Sequence, residues 1–304
     1  MAKKDRRSKN SREYWREREI DHSKSMLKDE NEVMKEIVRL YESAEREIEK
    51  ETQYLLEKYA ERNEITINEA KKKASNTDIR DYEDKAKKYV AEKDFSKKAN
   101  EEMAIYNLKM QLSRLELLSM YINLELVAMT DGVEKKTTSH LLGVGERELK
   151  RQAGILGKSL RLDKEGIKYI AKRKFHDEDF SDRLWKNKNL LHNELEYRLS
   201  ESLIKGQNPK KAAQKLRETI EQSVYASERI LRTESARVQS EVQMESLKKA
   251  GYGKYEFIAT ERACKICSPM DGKVFDVKDA VPGDTLPPIH PNCRCSTVSH
   301  YEGG

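Results

Sequence analysis

The sequence predicts a mainly α-helical protein: an elongated helical N-terminal region, then a helical domain ending in a small, cysteine-stapled α+β unit. Three observations carry this expectation. The first glycine is Gly132 and the first proline is Pro209, so the front of the chain lacks the two residues that most disrupt helices. Charged residues make up 38% of the 304 residues and hydrophobic ones 37%, with mean hydropathy −0.92; this suits helices with narrow apolar stripes better than one large core. After Gly253 the apolar period changes from helical to alternating, and all four cysteines fall between Cys264 and Cys295.

Residues 1–25 read as a basic, disordered arm, with six Lys/Arg against one Asp in the first twelve residues. Residues 26–132 read as a region of long bundled helices. An apolar stripe runs through Met34, Ile37, Tyr41, Ala44, Ile48, Leu55 and Tyr59 in steps of three and four, with Thr52 filling the gap. A break is expected at Arg62-Asn63-Glu64, a capping box at Thr66 to Glu69, and another helix start at Asn76-Thr77-Asp78. Met103 to Met129, with Leu108, Leu112, Leu115, Leu118, Ile122 and Leu126, reads as a central bundle helix, closed by a turn at Thr130-Asp131-Gly132. No apolar run is long enough for a membrane span, and no membrane partner is expected.

Residues 133–179 read as a basic helical connector. Between 143 and 175 there are ten Lys/Arg and four acids. Arg147, Lys150, Arg151, Lys158, Lys172, Arg173 and Lys174 are therefore candidate contacts for the phosphate backbone of double-stranded DNA, without sequence preference. A solvated face is the plainer reading of the same charges.

Residues 180–304 form the last predicted domain. A helix follows Phe180, Asn208 and Pro209 restart the chain, and two helices are expected at about 209–222 and 224–249. A β unit is expected at 254–300, with strands near 254–260, 272–277 and 294–298. The chain shows no secretory leader, so a reducing compartment is expected and disulfides are not. Cys264, Cys267, Cys293 and Cys295 could then complete a tetrahedral zinc shell, with His290 as the alternative fourth ligand or the four thiols simply buried. Such a shell is closed and structural, so no catalytic residues and no enzyme activity are expected.

Arg232-Thr233-Glu234, Cys264-Lys-Ile-Cys267, Asp271-Gly272-Lys273-Val274-Phe275 and His290-Pro-Asn-Cys293-Arg-Cys295 together resemble the phage Mu F-like head morphogenesis domain. The resemblance is strong from Phe180 to Ser296 and loose before that. Glu261 stands where the family often has Asp, and Phe257 where a tryptophan is common. The resemblance implies a minor head (capsid) protein of a tailed bacteriophage, incorporated with the portal protein and acting in head assembly, DNA packaging or DNA ejection. Its partners would be portal, capsid or scaffold, and double-stranded DNA. Its location would be the virion interior, and the bacterial host cytoplasm during assembly. Arg232, Glu234, Asp271 and Gly272 would be structural, the first two locking the cysteine unit to its helix. The alternative is a zinc-stabilised protein that binds or processes nucleic acid.

Overall fold

The computed structural model describes residues 2–60, 114–157, 162–204, 209–260 and 263–300. The expected break at 62–64, the starts at 66–69 and 76–78, residues 103–113, and Lys158 and Glu261 lie outside them. The described residues are mainly helical, with one three-stranded sheet near the C-terminus. The helices are α1 (Ala2–Ala60), α2 (Arg114–Leu156), α3 (Lys164–Ala171), α4 (Phe180–Ile204) and α5 (Pro209–Ala250). The strands are β1 (Lys254–Ile258), β2 (Val274–Asp276) and β3 (Ser296–His300).

Two compact units are built from interleaved parts of the chain. One comprises Met1–Met34, Thr137–Phe180 and Glu228–Gly304; the other comprises Lys35–Lys136 and Ser181–Ser227. In the second, the α1 stripe is buried as its period requires: Ile37, Tyr41, Ala44, Ile48 and Thr52. Leu118, Ile122 and Leu126 of α2 are buried as expected, and from Tyr121 to Asp131 all but Asn123 are buried. A helix covered on all sides is a central one. Trp185 packs on Val127 and its indole N–H donates to Glu134 at 2.8 Å. The Tyr41 hydroxyl meets Ser227 Oγ at 2.8 Å, and the Asn187 amide donates to Ser223 Oγ at 2.8 Å.

Three expectations change. The disordered arm through residue 25 is replaced by helix, since α1 starts at Ala2 and Glu19 on it is buried. Thr130-Asp131-Gly132 is helix interior, not a turn: Lys135 pairs with Asp131 at 3.0 Å one helical turn on. Gly132 has a packing role instead, because a Cβ there would sit 3.0 Å from Leu40 Cδ1. Finally, the two helices expected after Pro209 are one, α5, whose Ser223 is buried against Tyr41 and Asn187.

In the unit holding the cysteines, β1 is the central strand, antiparallel to β2 on one side and β3 on the other. Tyr255 pairs with Phe275 and Ser299, and Phe257 with Thr297. The alternation of β1 puts Tyr255 and Phe257 on its buried face. Phe257 packs with Ala259, Cys267, Cys293 and Cys295, whereas Tyr255 packs with Met244, Leu247 and Leu286. The sheet is thus fixed between the end of α5 and the cysteine cluster.

Candidate metal centre

Two tight turns bring the cysteines together. Cys264 to Cys267 is a knuckle: the Ser268 amide donates to the Cys264 carbonyl at 2.9 Å, and a 3-10 turn follows at Ser268–Met270. It is anchored by Asp271-Gly272. Asp271 has φ −57° and ψ 125°, Gly272 has φ 75°, and the Lys273 amide donates to the Met270 carbonyl at 3.0 Å. This is a type II turn, whose third position needs positive φ and hence glycine. Asp271 Oδ1 accepts the Ala259 amide at 2.9 Å, and Gly272 donates to the Phe257 carbonyl at 2.8 Å, tying the turn to β1. The second cysteine pair enters through Asn292, at φ 62°, with the Cys293 amide donating to the His290 carbonyl at 3.0 Å.

Among the described residues, five soft donors gather in two overlapping groups: Cys264, Cys267 and His290, and Cys267, Cys293 and Cys295. Within each group the ligand atoms lie within 4.8 Å of one another. All four cysteines are free thiols; Cys264 is exposed and the other three are buried. Cys267 Sγ is 3.7 Å from Cys293 Sγ, and Cys264 Sγ is 3.1 Å from His290 Nε2. Two sulfurs on a tetrahedral zinc, each at about 2.3 Å, stand roughly 3.8 Å apart, so the first distance, also that of two thiols in contact, would let both reach one metal. His290 Nδ1 lies 2.8 Å from the Pro291 carbonyl. A carbonyl only accepts, so that bond places the proton on Nδ1 and turns the Nε2 lone pair toward Cys264. Metal-binding histidines are oriented in this way. The residues present therefore fit a soft, tetrahedral metal, and His290 stands among the donors.

The proton balance agrees with this chemistry. Burial, then the charge of Cys293, pushes the Cys267 thiol up to about 12. The hydrogen bond from Cys295 holds Cys293 well below the ordinary thiol range, and that same bond together with burial pushes Cys295 up. Hydrogen bonding to the Cys267 amide lowers Cys264. Burial opposes charge on His290, but the Pro291 carbonyl and the Cys293 and Cys264 thiolates outweigh it and raise its pKa. Cys264 and Cys293 thus favour negative charge, while Cys267 and Cys295 hold protons that a bound cation would have to displace.

Arg232, Thr233 and Glu234 sit on α5. Arg232 ion-pairs with Glu228 on its own helix and donates to Asn31 of α1 at 3.3 Å. Glu234 pairs with Arg237 at 2.6 Å. Thr233 bonds to the cysteine segment, its hydroxyl accepting the Asn292 amide at 3.1 Å. Gln243 adds a two-way bond with Thr297 of β3, at 2.7 and 2.8 Å. Neither polar residue stands out in the sequence; helical spacing from Thr233, which puts 237, 240 and 244 on a neighbouring face, is the only signal for that side of α5.

The candidate DNA contacts divide. Lys150, Lys172 and Lys174 are exposed. Arg147 lies 3.4 Å from Asp29, and Arg173 donates to Glu241 at 2.7 Å, both at the surface. Arg151 points inward, bonding Glu19 at 2.6 Å and Glu148 at 2.8 Å.

Residues 193–298 match the family described as phage Mu protein F like protein. This segment belongs to the Mu F-like family. The match takes in the last part of α4, all of α5, β1 and β2, most of β3, and all five metal donors. That family is one of phage head morphogenesis, and residues 193–298 are what this chain shares with it. No curated protein and no solved structure matches the chain. Among the described residues, no helix is long and apolar enough to cross a membrane.

Proposed function

We propose that the chain is a minor head protein of a tailed phage, carried into the procapsid with the portal protein and serving DNA packaging or ejection as a structural component, not an enzyme. The Mu F-like match over 193–298 is the observation that supports this reading. In this reading the cysteine cluster holds one structural zinc, supported by the free thiols and the oriented His290. The partners are portal, capsid or scaffold, and double-stranded DNA. The DNA surface is the exposed stretch Lys172-Arg173-Lys174, with Lys150 and the exposed cations Lys164 and Lys168 of α3. Tyr169, 70% exposed beside Lys168, adds a ring to that surface.

The test is incorporation. A tagged chain supplied during infection is expected in purified virions and in procapsids assembled with portal, and to be missing from portal-less procapsids. Its absence from virions, with normal accumulation in the cell, would reject the reading.

A further inference from the structure

The cysteine segment and the first part of α1, both within one compact unit, meet through polar contacts that bracket the metal donors. The Arg16 guanidinium donates to Asp271 at 2.8 Å and to the Ala259 carbonyl at 3.2 Å, on either side of the Cys264–Cys267 knuckle. Arg294, between Cys293 and Cys295, lies 2.7 Å from the Glu30 carboxylate. Ser296, the residue after Cys295, donates to Glu19 at 2.7 Å. Glu19 and Glu30 are 2% and 0% exposed. Buried carboxylates demand partners: that of Glu30 is supplied from beside the donors, and Glu19 is shared between Ser296 beside the donors and Arg151 of α2.

The other contacts of this stretch are also polar: Arg151 and Arg147 of α2 reach Glu19 at 2.6 Å and Asp29 at 3.4 Å, and Arg232 of α5 reaches Asn31 at 3.3 Å. Between residues 13 and 34 the buried hydrophobic side chains are Met26 and Met34. A charged helical segment of about twenty residues is marginal without tertiary contacts. The surface it docks on is itself made of short strands and tight turns, the kind of unit that depends on a metal for its folding free energy.

We propose that the metal bound by the Cys/His cluster is the clamp for residues 13–34 of α1, so that metal occupancy and docking of this segment are one linked equilibrium. This rests on the metal-binding reading above. Linkage is reciprocal: contacts that stabilise docking also raise metal affinity, by the same factor.

The experiment uses the full chain loaded with zinc, with metal content and amide hydrogen exchange read on the same samples. Chelation is expected to speed exchange across 13–34 by about tenfold or more, while 37–52 and 117–127 keep their protection. Arg16→Gln, a mild change at a partly exposed pair, is expected to keep one zinc per chain, weaken its affinity several-fold against a competing chelator, and speed exchange at 13–34. Loss of zinc with unchanged exchange at 13–34, or with equal acceleration at 37–52, overturns the clamp alone. Failure of the thiol-reduced chain to take up stoichiometric zinc overturns the metal reading and the clamp with it.

Discussion

Replacing Arg237 with methionine should be among the most damaging single changes to the cysteine-bearing unit. The guanidinium is fully buried and donates to Glu234 at 2.6 Å, Glu241 at 2.7 Å, the Ile170 carbonyl at 2.9 Å and the Ala171 carbonyl at 3.0 Å. The last two are end carbonyls of α3, which have no partners within the helix. Methionine fills much of the space and supplies none of these bonds. Glu241 keeps Arg173 at 2.7 Å, so the main loss falls on Glu234, 0% exposed. Removing one partner of a buried ion pair costs about 3–5 kcal/mol. The Ala171 carbonyl adds roughly 1 kcal/mol, while that of Ile170 keeps the Arg173 amide at 3.1 Å. The expected loss is therefore about 4 kcal/mol, a large share of an ordinary domain's 5–15 kcal/mol or so. Each compact unit has one tryptophan, Trp15 in this one and Trp185 in the other, so urea unfolding in a Trp185→Phe background reads this unit alone. Adding Glu234→Gln to Arg237→Met should return about 2 kcal/mol, because a neutral amide replaces a buried carboxylate that has lost Arg237. A loss under about 1 kcal/mol, or the same loss with and without Glu234→Gln, would refute the reasoning.

Gly145→Ala should destabilise by about 1–3 kcal/mol although alanine favours a helix by about 1 kcal/mol, because the new Cβ would lie 2.5 Å from Ile167 Cγ2; Ile167→Ala in the same chain should remove that penalty, as denaturant midpoints would show. His140 is held down to about 4, by burial first and then by the Arg147 charge. The unfolded chain takes up that proton near the ordinary 6.5 and the folded chain resists until about 4. The stability from neutral His140 is thus complete above pH 6.5 and is lost as pH falls toward 4, by about 3 kcal/mol at most. His140→Gln should flatten the stability profile in that window, and an unchanged profile would show another group to be responsible. Charge reversal at Lys172, Arg173 and Lys174 should weaken binding to two unrelated DNA duplexes alike, and affinity should fall steeply with salt; a titration showing sequence preference or salt indifference would reject backbone contact.

Much of the fold was legible because it rests on periodicity. Met34, Ile37, Tyr41, Ala44 and Ile48 announce a buried helix face, and β1 and the cysteine pairs announce a change of architecture at Gly253. What could not be read is the part decided by distant partners. The α1 face continues backward through Glu30, Met26 and Glu19, and two carboxylates there look like solvent positions. They are buried because Arg294, Ser296 and Arg151 meet them, from 132 to 277 residues away in sequence. Gly132 misled for a related reason: a glycine marks either a turn or a close approach, and only Leu40 decides which. His290 was legible as a donor by spacing, but its orientation depends on the Pro291 carbonyl.

Arg151 shows why a charge count along the chain overstates a binding surface. It belongs to the run of cations at 143–175, yet its guanidinium is the counter-ion of Glu19 and Glu148. Glu148 in turn sits below the ordinary carboxylate range: burial opposes its charge, but His22 and Arg151 outweigh that. A cation so committed could contact phosphate only by leaving two buried carboxylates behind, at a cost of several kcal/mol. A surface phosphate contact returns less than that, since it exchanges one hydrated partner for another. Among the described cations at 143–175, Lys164, Lys168, Lys172 and Lys174 face water on α3 and the turn after it. A long basic run thus resolves into an internal strut and a short external patch, and charge reversal at Lys172 and Lys174, which keeps the Arg173 bond to buried Glu241, separates the two: it should cost DNA affinity and leave folding stability within about 0.5 kcal/mol.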